Sequence, residues 1–278
     1  QRQATEHQLR FVRLLRQFSQ KYNFRIMYEI DDLVFHEDIP DYNKFKTAFT
    51  DPKIRQCALD IMGEVDEITV TNKFMQQYYQ NKTGNKNVTV IPNYPPKWWI
   101  GHYHDQDKII RNYKRYRKKP RILYSASGAH FDVTLSHLVQ QGKIEFHPWQ
   151  RLYEYPALVD SLNCNMFIAP LQDNTFNKAK SDLKYIEACC YGVPIACQDL
   201  CTYEDAPYKF TTGDEMIDVI KSVMGNYSNY IKAGKVARQV AEGRWLELDC
   251  NIDKYAELYK HPYKSSERKL INSLAANK

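Results

Sequence analysis

Apolar positions along this chain alternate between two periods, and that alternation predicts its layout. Leu9, Val12, Leu15 and Phe18 recur roughly three apart between Glu6 and Gln20, the spacing of one helix face. Residues 25–30 then read as a strand running into three carboxylates, Glu29, Asp31 and Asp32. Helices are predicted over 53–65 and 74–80, and strands over 67–70 and 88–92. A second series opens with strands at 121–125 and 143–147 and a helix reaching about 162, then strands at 166–171 and 193–197. Helices follow beyond Asp214, their apolar faces marked by Trp245, Leu246, Ile252, Tyr255 and Leu258. Strands alternating with helices argue for parallel α/β sheets.

The stretch from Lys180 to Cys197 carries the most chemistry. Leu183, Ile186 and Cys190 fall at i, i+3 and i+7, one apolar face of a helix over 182–191. Asp182 is placed to cap its start, Gly192 to close its end, and Pro194 to prevent continuation. Val193, Ile195 and Ala196 suit a strand buried on both faces. Lys178 and Lys180 precede a helix start whose free amides and dipole favour an anion. Glu187, further along the helix, could accept hydrogen bonds from sugar hydroxyls. An ordinary βαβ element with a solvated Glu fits the same spacing equally well.

This segment, with the preceding strand Met166-Phe-Ile-Ala-Pro-Leu171, resembles the donor-site signature of GT-B glycosyltransferases, especially the family 4-like group. There a helix reading roughly S-x-x-K-x-x-E-A-x-x-x-G-x-P follows a strand ending in Ala-Pro or Pro-Ser. The resemblance implies an α/β GT-B architecture, two Rossmann-like domains facing across a cleft. Residues 1–115 would form the acceptor-side domain, 116–244 the nucleotide-sugar domain, and 245–278 helices crossing back to the first. It further implies that Glu187 binds the nucleotide ribose and that Lys180, Ser181 and Asp182 meet the diphosphate, with Lys178 and Lys184 beside them. The turn Ser127-Gly128 would add backbone amides, and His130 would reach a phosphate or the sugar. His147, Pro148 and Trp149 would hold the base. No cofactor is implied; the donor substrate would be a UDP-sugar. Ala179 stands where many members of the group carry a second Glu. Measured against the group, the chain starts several elements into the first domain, and 132–138 leaves no room for an expected helix and strand.

Composition narrows the class. The 278 residues are enough for two cores, and 43% hydrophobic with 26% charged content is that of a soluble globular protein. No apolar run approaches the roughly 18–20 residues of a membrane span and no signal-peptide pattern is present, so no transmembrane segment is expected. The opening Gln1-Arg2-Gln3 lacks Met, which leaves room for a lost targeting segment. Seven cysteines without zinc spacing read as reduced core residues, consistent with a cytoplasmic protein, in the host cytoplasm if the gene is a phage's.

Two charged clusters bear on the acceptor. Glu29, Asp31 and Asp32 end a strand where α/β sheets place ligands, so one of them could serve as general base on an acceptor hydroxyl. The same three could hold Mg²⁺ or simply cap a turn; GT-B enzymes usually need no metal, and none is expected. Arg111, Lys114, Arg115, Arg117, Lys118 and Lys119, interleaved with Tyr113 and Tyr116, can contact phosphates or form a solvated connector. A net charge of +6 permits a polyanionic partner without demanding one. The wording around Tyr28–Phe35, Gly128–Val133 and Phe176–Glu187 resembles phage-encoded members of the family 4-like group. Some of those glycosylate hydroxymethylated bases, which makes double-stranded DNA, met by the basic run at the cleft mouth, the expected acceptor. Trp98 or Trp99 could then fill the place of a flipped base. The alternatives are a glycan or lipid-linked acceptor, a nucleotide-sugar epimerase, and a degenerate GT-B domain that binds DNA.

Overall fold

A computed structural model describes residues 4–33, 35–36, 39–41, 43, 46–100, 106–125 and 138–260. Thr5 and Gln8 exchange hydrogen bonds in a capping box and start helix α1 (Glu6–Tyr22). The chain continues through β1 (Met27–Glu29), α2 (Lys46–Phe49), α3 (Pro52–Glu64), β2 (Glu67–Val70), α4 (Lys73–Thr83) and β3 (Val88–Val90). These strands form a parallel sheet in the order β1-β2-β3, with Tyr28 opposite Ile68 and Ile68 opposite Val88. All of β2 is buried, as a central parallel strand covered on both faces must be. Leu9 and Val12 of α1, Ile61 and Met62 of α3, and Met75 and Tyr79 of α4 complete this first core.

Helices α5 (Lys97–Ile100) and α6 (Gln106–Tyr116) lead to the second sheet. Its elements are β4 (Ile122–Leu123), α7 (Tyr155–Ser161), β5 (Met166–Ala169), α8 (Thr175–Lys178), α9 (Leu183–Cys190), β6 (Ile195–Gln198) and β7 (Lys209–Phe210). Helices α10 (Gly213–Gly225), α11 (Tyr227–Gly243) and α12 (Asp249–Lys260) follow. The strands pair in parallel in the order β4-β5-β6-β7. Gly192, at φ +62°, closes α9 in the left-handed conformation that glycine adopts without strain.

Several expectations change here. Residues 143–147 form no strand, so β4 pairs directly with β5. Most of the basic connector is the helix α6. Its apolar face packs on the second core: Tyr113 lies 4.6 Å from the Tyr230 ring and donates to Met224 O at 3.0 Å. A domain boundary at 115 would therefore cut α6, and the change of core falls earlier, since Trp99 already packs in the second core. The basic run is also not at the cleft mouth. Asn112 Nδ2 donates to Asn163 Oδ1 at 3.3 Å, and the Arg121 amide donates to Asn165 Oδ1 at 2.9 Å, both just before β5. The run thus sits at the amino ends of the second sheet. Tyr116 packs under Arg115 and Arg121 at 5.2 and 5.9 Å rather than standing free to stack on a base.

The two sheets meet through their carboxyl ends. Asp32 follows β1, Asn72 follows β2 and Asn93 follows β3. Asn72 Nδ2 donates to Lys180 O at 2.8 Å, and Arg244 Nη1 donates to Asn93 O at 3.2 Å. Phe176 of α8 and Ala179 at its end, both from the segment after β5, are buried in the first core. Helix α12 reaches the first sheet as well: Arg25 Nη1 donates to Leu258 O at 3.2 Å, and Tyr255 packs edge-on against Tyr94 at 5.7 Å.

Packing is close where α11 crosses the end of α9. A Cβ added at Gly234 would lie 2.8 Å from Gly192 O, a backbone atom that cannot step aside. Gly234→Ala should therefore cost about 1–3 kcal/mol of stability in urea denaturation. Gly225→Ala, which meets nothing within 4 Å, should be near neutral in the same measurement.

Candidate functional site

The seam between the sheets holds a small group of titratable side chains around the start of α9. Glu187 lies on the second turn of α9, and its carboxylate accepts from Tyr155 OH, at the start of α7, at 3.4 Å. Tyr155 OH also lies 2.8 Å from Ser125 Oγ at the end of β4. Burial pushes the Glu187 carboxyl up to about 7, with Lys184 and Tyr155 opposing the shift. Burial pushes the Lys184 ammonium down to about 8, with Glu187 opposing, and its Nζ sits 4.7 Å over the Tyr124 ring. A cavity of about 170 Å³ runs beside Glu187 between α9, the 93–99 connector and Tyr255 of α12.

Asp182 occupies the N-cap position of α9, but its side chain makes no capping hydrogen bond. Instead it pairs with Arg244 Nη2 at 2.7 Å, which offsets the upward push of burial on its carboxyl. No side chain therefore caps the first amides of α9. Lys180, just before them, reaches across the seam to Asp32 Oδ1 at 3.6 Å. Lys178 pairs with Asp173 at 2.7 Å, and its carbonyl accepts from Thr202 Oγ1 at 3.3 Å. Ser181 is half-buried between these residues.

The structure brings together Lys180, Ser181, Asp182, Lys184 and Glu187 of the sequence-predicted set, with Asp32 opposite. Glu29 and Asp31 are exposed at the same end of β1. His147 is placed differently: its Nε2 lies 2.9 Å from Glu145, which pairs with Arg121 at 3.0 Å. That ties it to the amino end of β4, away from the Ser125 end that holds Glu187. Beyond Pro148, Trp149 is 83% exposed. Ser127, Gly128 and His130 lie outside the described residues. Ala179 is fully buried in the first core, so the place of the family's second Glu is a packing position in this chain. No group of three metal-ligating side chains is found among the described residues. Sequence reading missed Ser125, Tyr155 and Arg244. In a chain with 21 tyrosines, nothing local marks Tyr155 out.

No protein family and no curated protein matches the chain. Solved structures do. HepE of Anabaena in complex with UDP-glucose matches with a TM-score of 0.61 at 12% identity, over 90% of this chain and 76% of HepE. A glycosyltransferase from Rickettsia africae matches with 0.54 at 13%, over 91% of this chain and 80% of its own. TarM matches with 0.53 at 14%, over 84% of this chain and 50% of its own. The fold is that of GT-B glycosyltransferases. In this frame, Glu187 and the open start of α9 stand where the seam between the two sheets meets the second sheet.

The raised Glu187 carboxyl has a consequence for stability. Its ordinary value is 4.5 and its folded value about 7, so between those pH values the folded protein holds a proton the unfolded chain has lost. The contribution to stability therefore falls as pH rises from about 4.5 to about 7 and levels off above. Glu187→Gln removes this dependence. Thermal melts should favour the variant over wild type by about 2 kcal/mol more at pH 8 than at pH 5.

Proposed function

We propose that this chain is a glycosyltransferase that takes its sugar from a UDP-sugar and passes it to an acceptor hydroxyl. One observation carries the reading: a half-buried carboxylate, Glu187, positioned by Tyr155 and Ser125, beside the amino end of α9, which no side chain caps, and Lys184. Glu187 accepts the ribose hydroxyls. The α9 amides, with Lys180, Ser181 and Lys184, receive the diphosphate and stabilise the charge that develops on it as the sugar leaves. Lys178 stands at the rim of this site, and Ser127, Gly128 and His130, which follow β4 in the sequence, remain its expected partners. The structures of HepE with UDP and with UDP-glucose support a nucleotide donor of this kind.

The first half, through Glu29, Asp31 and Asp32, faces the acceptor, and one of these carboxylates takes the proton of the attacking hydroxyl. The acceptor we propose is a hydroxymethylated base in duplex DNA. Its phosphate contacts would come from cations on the seam, such as the exposed Lys73 at the start of α4, because the Arg111–Lys119 run lies at the other end of the second sheet.

Transfer from a panel of radiolabelled UDP-sugars to hydroxymethylcytosine-containing duplex, unmodified duplex and polysaccharide tests the reading. Label should enter the modified duplex alone, and Glu187→Ala should lower the rate about 10- to 100-fold, the loss of hydrogen bonds to a charged group. Label in polysaccharide alone would keep the transferase and replace the acceptor. No turnover of any donor would leave a GT-B-fold binding protein.

A further inference from the structure

We propose that Asp32 is a positioning residue for Lys180, holding it as a latch across the seam until a nucleotide diphosphate draws it away. The inference rests on the UDP-sugar reading and adds an order of events to it. Lys180 Nζ lies 3.6 Å from Asp32 Oδ1, each side chain partly buried. Both ends of this pair are fixed by their backbones. Lys180 O accepts from Asn72 Nδ2 at 2.8 Å, and Asp32 O accepts from Tyr79 OH at 3.5 Å, with Tyr79 fully buried. The Phe176 ring, itself in the first core, lies 4.7 Å from the same ammonium and limits its swing.

The Lys180 side chain can therefore pivot while its backbone stays in place. It stands two residues before the N-cap of α9, so a diphosphate at the uncapped amides comes within reach of the same ammonium. One ammonium cannot keep a carboxylate at close range and also meet a multiply charged diphosphate in full. The diphosphate, carrying more charge, takes it. Without donor, Asp32 is engaged by a residue of the opposite half. With donor, that contact is released. The latch thus lowers donor affinity and couples donor binding to loss of the contact across the seam, and linkage makes the coupling reciprocal.

UDP binding by isothermal titration calorimetry tests this without any turnover. Wild type should bind UDP, and Glu187→Ala should bind it about 10- to 100-fold more weakly. Asp32→Asn should tighten UDP about two- to fivefold, the size expected for a partly exposed ion pair, and Asp32→Ser should do the same. Lys180→Met should weaken UDP, and adding Asp32→Asn to it should change nothing further. A merely structural Asp32 would weaken binding or leave it unchanged when replaced. Unchanged or weaker UDP binding in both Asp32 variants, with wild-type melting curves, overturns the latch alone. So does tightening that persists in the Lys180→Met background. Failure of wild-type protein to bind UDP overturns the donor reading and the latch with it.

Discussion

The constraint on which the rest depends is the anchoring of α8, the short helix after β5, in the core of the other half. Phe176 and Ala179 belong by chain position to the second sheet, yet they are buried with Tyr28, Ile30 and Met75 under the first. Asn72 then holds Lys180 O, and Asn177 is fixed by donating to Gln172 O at 2.9 Å. Burying these groups and satisfying their hydrogen bonds sets where the amino end of α9 stands relative to the carboxyl end of β1. The rest of the seam is built on that placement. Arg244 pairs with Asp182, Leu246 N donates to Pro95 O at 3.0 Å, and α12 returns to the first sheet. Among the described residues, groups from both halves face each other across this seam.

Low dielectric does the chemical work inside the seam. Glu187 and Lys184, on one helix, are both pushed toward neutrality by burial while each pulls the other back toward charge. A carboxyl near its midpoint in the physiological range can accept from hydroxyls without carrying the full desolvation cost of a fixed buried charge. Asp182 shows the other solution: a half-buried carboxylate kept in place by an arginine from the end of α11. Two carboxyl groups on neighbouring turns thus take different roles because different partners reach them.

The surface charges carry a separate lesson. The Arg111–Lys119 run is dense in sequence, yet α6 and the turn after it place it behind the second sheet. Its interleaved tyrosines are spent on packing, Tyr113 against Tyr230 and Tyr116 under two arginines. Density along the chain did not become a patch at the cleft. The Glu29–Asp32 cluster behaves oppositely, because parallel pairing of β1 delivers a strand end directly to the seam.

Local pattern alone determined the alternation of parallel strands and helices, the limits of α1, α3 and α9 to within two residues, and the turn at Gly192. Those features rest on periodicity, capping chemistry and the φ that glycine permits, all of which act within a few residues. The reading of Glu187 rested instead on resemblance to the GT-B donor signature, since the spacing alone fits an ordinary βαβ element equally well. Tertiary structure alone decided that 143–147 is no strand, that α6 belongs to the second core, and that Asp182 meets Arg244 instead of capping its own helix. It also decided that Tyr155 and Ser125 hold Glu187 and that Lys180 faces Asp32. These contacts join residues between 30 and nearly 150 positions apart. Their energies come from burial and from charge at close range, and neither exists until the two sheets have met.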